Sequence, residues 1–316
     1  MIPLLNEDGN ISVLYDALLP VVERISPDYE IIFVDDGSRD ASFERIEEIS
    51  KQNDRVLGVC LSRNFGHQIA LTAGLEHTTG EIIITMDADM QHPPEVILNL
   101  YDKYCEGYDI VNTIRTETAD SGQFKKITSS WFYKIINNLS DMHIQPGAAD
   151  FRLMNRKTVD AFLQLKEKDR FTRGLISWMG FKQAIVPYAA PPRFSGRSKY
   201  SIVKMFHFAV DGITSFSAKP LRVSFFAGLI FAIIGLIYSA YAVIEYFKGK
   251  TIPGWTSILV SVLIIGGIQL ISIGVIGEYL ARVFNEAKNR PLYFVKRYTS
   301  KKEHNKYVLN EKANSF

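Results

Sequence analysis

Four short apolar runs punctuate the first third of the chain: Tyr29–Val34, Val56–Leu61, Glu81–Met86 and Asp109–Ile114. Each is rich in Ile and Val and nearly continuous, the pattern of a strand buried on both faces of a parallel sheet. Helix-like stretches fill the gaps, over Ile11–Ile25, Ala41–Gln52, His67–His77 and Pro94–Glu106. Pro93-Pro94 suits the opening of the last of these, because proline is tolerated in a first helical turn. Strand and helix in alternation predict a doubly wound α/β sheet.

From Leu221 the texture changes. Val223–Ile244 and Thr256–Gly277 contain no charged residue, and each is 22 residues long. As helix each measures about 33 Å, enough for a hydrocarbon core of about 30 Å. Both are apolar around the whole circumference, which sets them apart from core helices of a soluble domain. Tyr241, Tyr246 and Trp255 cluster at the connecting loop, as expected of an interfacial belt. Lysines and arginines crowd the outer flanks, from Arg193 to Arg222 and from Arg282 to Lys302, whereas the loop holds only Lys248 and Lys250. The positive-inside rule then predicts a helical hairpin through an inner membrane, with the soluble domain and both termini cytoplasmic. Met1 runs straight into Pro3 and Asn6-Glu7, which predicts no signal peptide.

Composition adds little beyond exclusions. The 316 residues carry a formal net charge of +2, so neither a polyanion binder nor an acidic solvating chain is indicated, and no nucleic-acid partner is expected. Two cysteines, Cys60 and Cys105, read as unpaired thiols used for packing. The six histidines are scattered and read as surface or packing residues. There is no G-x-x-x-x-G-K-[ST] loop, no G-x-G-x-x-G, no H-E-x-x-H and no G-x-S-x-G elbow.

The chemistry sits at the strand ends, where open α/β sheets gather their ligands. The first strand, here only Ile2-Pro3, leads to Asn6-Glu7, the second to Asp35-Asp36-Gly37-Ser38, and the third to Arg63-Asn64-Phe65-Gly66. The fourth leads to Asp87-Ala88-Asp89-Met90-Gln91 and the fifth to Arg115. On a straight strand Asp87 and Asp89 face the same side. Like charges so close need a counter-ion or a proton. A hard cation, Mg²⁺ or Mn²⁺, suits their oxygens, and Gln91 adds a carbonyl. Asp35 and Asp36 can accept hydrogen bonds from a base and a ribose; the plainer reading is a turn at Gly37 with Ser38 or Asp40 capping the next helix, and both can hold. Arg63 is placed to offset pyrophosphate charge.

The ordered set Pro3-x-x-Asn6-Glu7, Asp35-Asp36-Gly37-Ser38, Arg63-Asn64-Phe65-Gly66, Asp87-x-Asp89-x-Gln91-His92-Pro93-Pro94-Glu95 and Gly196-x-Ser198-Lys199-Tyr200 resembles the family-2 glycosyltransferases of the dolichyl-phosphate-mannose synthase type. The tail Gly277–Val295, after two apolar spans, is similar to that of bacterial GtrB-like polyprenyl-phosphate glucosyltransferases. The resemblance implies a GT-A fold: a Rossmann-like, mostly parallel sheet with helices on both faces, then interfacial helices and two transmembrane helices. It implies a catalytic domain over 1–195, an acceptor loop and interfacial helix over 196–220, a transmembrane hairpin over 221–281 and a basic cytosolic tail over 282–316.

The same resemblance implies a UDP-sugar donor, UDP-glucose foremost, a polyprenyl phosphate acceptor such as undecaprenyl phosphate, a divalent metal, and a homo-oligomer, as a tetramer. Pro3, Asn6, Glu7, Asp35, Asp36, Arg63 and Asp87 fall to the donor. Asp89 and Gln91, with Asp87, fall to the metal. Arg115, Arg193, Arg197, Ser198 and Lys199 fall to the acceptor phosphate, and Asp150 to the neighbourhood of the transferred sugar, so that Asp89, Asp150 and Arg115 form the catalytic set. Two departures stand out: the family's first strand carries more apolar residues before its proline, and Arg197 stands where the family often has Glu. Mannose or an aminoarabinose derivative in place of glucose, or a non-catalytic nucleotide-sugar-binding scaffold, are the alternatives these motifs leave.

A phosphate acceptor also accounts for what the sequence lacks. A phosphate monoester is already anionic, its second pKa being about 6, so it needs positioning and charge screening more than a dedicated base. The stretch Tyr200–Ser217 spaces Ile202, Met205, Phe206, Ala209, Val210, Ile213 and Phe216 as an amphipathic helix, suited to the bilayer surface or to an ordinary core face. Ser130–Leu139, with Trp131, Phe132 and Tyr133, is a weaker instance.

Overall fold

The computed structural model describes residues 1–116, 148–189, 217–248 and 254–299. Both amphipathic stretches, Ser130–Leu139 and 200–216, lie outside them. The chain forms two compact units.

In the first unit, β1 (Ile2–Leu4), β2 (Ile31–Asp35) and β3 (Val56–Leu61) pair in parallel, with helices α1 (Asp8–Ile25) and α2 (Ser42–Gln52) as crossovers. Helix α3 (His67–Glu76) then leads to β4 (Ile82–Thr85), and α4 (Val96–Cys105) to β5 (Ile110–Arg115). Next come β6 (Ala148–Asn155), α5 (Arg156–Leu163), α6 (Thr172–Trp178) and β7 (Gln183–Tyr188). Strand β6 runs antiparallel between β4 and β5, and β7 pairs in parallel with β5. The two sheets meet at the first residue: Met1 N donates to Ile84 O at 2.8 Å, and Met86 N donates to Met1 O at 3.2 Å. The strand order is thus β3-β2-β1 beside β4-β6-β5-β7, a mixed Rossmann-like sheet of the GT-A kind.

All four expected strands form, Val56–Leu61 with its expected bounds and the other three shifted by one or two residues at their ends, and the four expected helices form as well. The differences have local causes. Helix α1 begins three residues early, at Asp8. Helix α4 starts two residues after Pro94, whose carbonyl accepts from Ile97 N while that of Pro93 accepts from Val96 N. Strand β4 lies between Met1 on one side and the antiparallel β6 on the other, and its burial alternates. Cys60 is buried as expected, whereas Cys105 is exposed, and both are free thiols.

The core follows from the periodicities. Helix α1 buries Ile11, Leu14, Leu18 and Val21 against the sheet, and α2 buries Phe43, Ile46 and Ile49. Each such side chain, fully buried, contributes about 1.5–3 kcal/mol. Helix α3 buries a run of six residues, Ala70 to Leu75, of which Ala70, Ala73 and Gly74 are small and allow close approach to β1 and β2.

A further strand, β8 (Val295–Tyr298), pairs antiparallel with the edge of β3, so the basic tail contributes to the sheet. Arg297 bridges Glu44 at 3.0 Å and Glu47 at 3.3 Å while lying over Phe43. Tyr298 Oη meets His77 Nε2 at 3.1 Å, and Gly58 N donates to Thr299 Oγ1 at 2.9 Å.

The second unit contains α7 (Lys219–Phe247) and α8 (Trp255–Ala287), which pack on each other. Within them Lys219–Tyr238 and Ile264–Ala287 are long and apolar enough to cross a membrane, with mean hydropathy 2.1 and 1.7. Their apolar side chains are exposed on all sides, Leu236 and Leu270 both at 71%. Helix α8 continues six residues beyond the expected end of the hairpin at 281.

Candidate active site

The loops that follow β1, β2 and β3 are knitted together by side chains. Asn6, at φ 55°, donates its N–H to Ser38 Oγ at 2.9 Å and accepts the Arg39 N–H on its Oδ1 at 2.9 Å. Glu7 N donates to Ser42 Oγ at 2.9 Å, and Glu7 Oε2 accepts from Asn10 Nδ2 at 2.6 Å. Asp35 and Asp36 are buried. Asp35 Oδ1 accepts from Ser38 N at 2.9 Å, while Asp36 accepts from Phe65 N at 2.7 Å and Gly66 N at 2.9 Å. Burial pushes the Asp36 carboxyl up, and those two N–H groups pull it back. Pro3 is buried within β1, opposite Val34. Arg63 is exposed, its guanidinium 4.1 Å over the Phe65 ring and donating to Asn64 O at 3.1 Å.

Gly37 is the hinge of this assembly. Its φ is +73°, and an added Cβ would stand 2.5 Å from Arg63 C and 2.8 Å from Asn64 N. Backbone packs on backbone there. Gly37→Ala is therefore expected to lower the unfolding free energy by about 2 kcal/mol or more, visible as a lower denaturation midpoint. An unchanged midpoint would refute the close approach.

The second group gathers at the end of β4. The strand stops at Thr85, so Asp87 and Asp89 lie in a turn rather than on a straight strand, with Met90 at φ 59°. Asp89 Oδ1 accepts from Gln91 N at 3.1 Å, and Arg115 Nη1, from the end of β5, reaches Gln91 Oε1 at 3.5 Å. Asp87 N donates to His92 Nδ1 at 3.0 Å, and His92 Nε2 lies 3.8 Å from Asp87 Oδ2. His92 is buried, stacked 5.0 Å from Phe151 and edge-on to Tyr188. Burial pushes its pKa down despite the Asp87 charge. Burial likewise pushes Asp87 up against the pull of His92 and His67, and the Tyr188 phenol up to about 12.

From β6, Asp150 enters the same cluster. Its Oδ1 accepts from Arg152 Nη2 at 3.0 Å and Arg173 Nε at 3.1 Å, and its Oδ2 accepts from Arg173 Nη2 at 2.9 Å. His67 Nε2, at the start of α3, stands 3.5 Å from both Asp150 Oδ2 and Asp87 Oδ1. Burial alone would raise Asp150, but Arg173, His67 and Arg152 hold it well below the usual carboxylate range. Burial opposes charge on His67 as well, and there Asp150 and Asp87 prevail and raise it. The His67 charge is also felt by Asp36, which ties the two groups of loops into one rim.

Asp87, Asp89, Gln91, Arg115 and Asp150 are therefore brought together. Arg193, Arg197, Ser198 and Lys199 lie outside the described residues. His67, Arg152 and Arg173 join the site although their sequence context marks none of them, and His92, within the motif after the acidic pair, joins it too. Two of the histidines read as surface or packing residues thus belong to it. His92 follows the acidic pair closely enough to have been a signal.

A divalent cation can be tested against these groups. Among the described residues no three His, Cys, Asp or Glu side chains converge as a metal cage. The donors are instead two carboxylates and an amide, and Asp87 Oδ1 is buried without a hydrogen-bond partner. That oxygen-only set fits Mg²⁺ or Mn²⁺, which take one or two carboxylates and fill the rest with water and substrate phosphates. A separate cavity of about 620 Å³ opens at the other end of the strands, lined by Leu18, Tyr29, Glu30 and Glu81, away from these groups.

Comparison with known proteins agrees with this geometry. Residues 1–163 match the model of glycosyl transferase family 2, and residues 219–283 match the GtrB C-terminal hairpin. The prophage bactoprenol glucosyl transferase homolog of Escherichia coli (strain K12) is 39% identical over 94% of this chain and 97% of its own length. The uncharacterized glycosyltransferase YkcC of Bacillus subtilis (strain 168) is 43% identical over 94% of this chain and 92% of its own. A solved structure of glucosyl-3-phosphoglycerate synthase from Mycobacterium tuberculosis, with Mn²⁺, UDP-glucose and phosphoglyceric acid, covers 68% of this chain and 77% of that one. It is 21% identical with a TM-score of 0.45, too low to carry its ligands across. With its sheet order, its acidic turn after β4 and its paired apolar helices, the chain belongs to glycosyl transferase family 2 and is a membrane-associated glycosyltransferase with the GtrB type of C-terminal hairpin.

Proposed function

We propose that the protein transfers glucose from UDP-glucose to a polyprenyl phosphate, undecaprenyl phosphate being the leading acceptor, with inversion at the anomeric carbon. The observation that carries this is the 39% identity, over nearly the whole chain, to proteins named bactoprenol glucosyl transferase.

The residues divide the work as follows. The loops of Pro3, Asn6, Glu7, Asp35, Asp36 and Arg63 receive the uridine and its diphosphate, with Asp87 at the ribose or sugar. Asp89, Gln91 and Asp87 would hold Mg²⁺ or Mn²⁺, which when bound supplies charge stabilisation for the departing diphosphate. Arg115, with Arg193, Arg197, Ser198 and Lys199, orients the lipid phosphate. A phosphate oxygen attacks C1 of the sugar as the bond from C1 to the β-phosphate oxygen breaks, and the electron pair leaves with UDP. No proton need be removed from the nucleophile. The charge count suits this: Asp87, Asp89 and Asp150 oppose Arg115, Arg152 and Arg173, so a bound divalent cation leaves the cluster positive toward two phosphate groups. Helices α7 and α8 would span the bilayer, with the catalytic domain and both termini on the cytoplasmic side, and the protomers would assemble as homo-oligomers.

Purified protein incubated with labelled UDP-sugars, polyprenyl phosphate and Mg²⁺ or Mn²⁺ tests this directly. The expected result is label in the lipid extract from UDP-glucose, as the β-linked phospho-sugar. An α-linked product would refute single displacement, and no lipid label from any UDP-sugar would refute the activity.

A further inference from the structure

The acidic turn after β4 closes on itself through two bonds from backbone to side chain. Asp87 N donates to His92 Nδ1 at 3.0 Å, and Gln91 N donates to Asp89 Oδ1 at 3.1 Å. Met90, enclosed by them, stands at φ 59°, a conformation that side chains seldom adopt without such ties. An amide N–H can only donate. His92 Nδ1 therefore presents a lone pair, and the ring proton lies on Nε2. That nitrogen faces Asp87 Oδ2 at 3.8 Å. One imidazole thus meets Asp87 at its backbone and at its carboxylate.

The ring is held firmly in this pose. It is 5% exposed, stacked 5.0 Å from Phe151 of β6 and edge-on at 5.8 Å to Tyr188 of β7. A phenyl ring could fill the same space. It would offer the Asp87 N–H no acceptor and the Asp87 carboxylate no donor. With the histidine in place, Asp87 Oδ1 is left buried and without a hydrogen bond, 3.5 Å from His67 Nε2. An oxygen kept open in this way, on a backbone fixed from behind, is what a ligand of the turn requires.

We propose that His92 is a positioning residue for the metal and donor site, acting through Asp87: it sets the backbone of the acidic turn and the direction of the Asp87 carboxylate. This rests on the glycosyl transfer proposed above, in which Asp87 and Asp89 serve a divalent cation and the UDP-sugar.

The test compares His92→Asn with His92→Phe in detergent-purified full-length protein. Asparagine places an amide oxygen as far from Cβ as Nδ1 is, so the acceptor survives while the ring is lost. Phenylalanine keeps the ring against Phe151 and Tyr188 and loses the acceptor. Mn²⁺ affinity with UDP present, read by electron paramagnetic resonance, is expected to weaken about tenfold or more in His92→Phe and less than about threefold in His92→Asn. Sugar transfer should follow the same order. Hydrogen exchange, read by mass spectrometry on the peptide that contains Asp87, should quicken in His92→Phe and stay near wild type in His92→Asn. A role in packing alone predicts the reverse order. That order, or equal losses in the two variants, would overturn the proposal. If His92→Phe does not fold, His92→Gln takes its place with the same expectation, because its amide lies at the reach of Nε2 instead of Nδ1. A wild-type protein that binds neither Mn²⁺ nor UDP would instead refute the assigned site, and the exchange comparison would still decide the grip of His92 on the turn.

Discussion

Asp89→Ala is expected to lower sugar transfer by about 10³-fold or more, the equivalent of several kcal/mol of transition-state stabilisation. Asp89 sits in the turn after β4, half-buried, and its Oδ1 fixes that turn through Gln91 N. Alanine removes one of the two carboxylates available to a divalent cation and releases Gln91, whose amide oxygen faces Arg115. Asp89→Asn separates the two effects, since it can keep the bond to Gln91 N while losing the charge. Equal losses in both variants would assign the defect to charge. Mn²⁺ binding in the presence of UDP, followed by electron paramagnetic resonance, should disappear in both. Wild-type turnover in Asp89→Ala would remove the metal assignment.

The second large effect is on stability. Asp150→Ala is expected to cost about 3–5 kcal/mol of unfolding free energy, because it takes from the buried Arg152 the carboxylate 3.0 Å away. The same carboxylate should shape the acid limb of the stability curve. Its native pKa is held below the ordinary aspartate value of about 4. Between the two values the unfolded chain binds a proton that the native chain does not. Its contribution is therefore complete above that range and is lost as pH falls through the native pKa. Denaturant titrations at stepped pH should show an acid-side loss in wild type that is diminished in Asp150→Ala. Equal stability of the two proteins at neutral pH would contradict the buried pairing.

How far the sequence discloses this site depends on whether a feature is local. Asp87 and Asp89 stand out because a buried apolar run ends abruptly in two like charges. Gly37 stands out because two aspartates and a serine frame it as a turn. Strand β6 is harder to see, since Asp150 and Arg152 interrupt its apolar pattern with a charge pair that satisfies itself only after folding. Strand β8, with Lys296 and Arg297 at its centre, looks like part of a basic tail. Its edge position and the partners Glu44 and Glu47 become evident only when β3 is placed beside it. Arg173 lies 23 residues from Asp150, and His67 lies 83 residues from it. No local pattern announces pairings over such separations. The histidines illustrate the same point: their roles are set by which carboxylates the fold delivers to them.

The return of the chain from α8 to the border of the sheet has a practical outcome. A fragment ended before Lys219, made to obtain the globular part without its anchor, would lose Val295–Tyr298 as well. The rim of β3 from Val59 to Leu61 would then present bare peptide groups to any passing molecule, an open template for sticking one copy to the next. Shortening this protein to make it easier to handle would strip off the strip of backbone that keeps it from clumping.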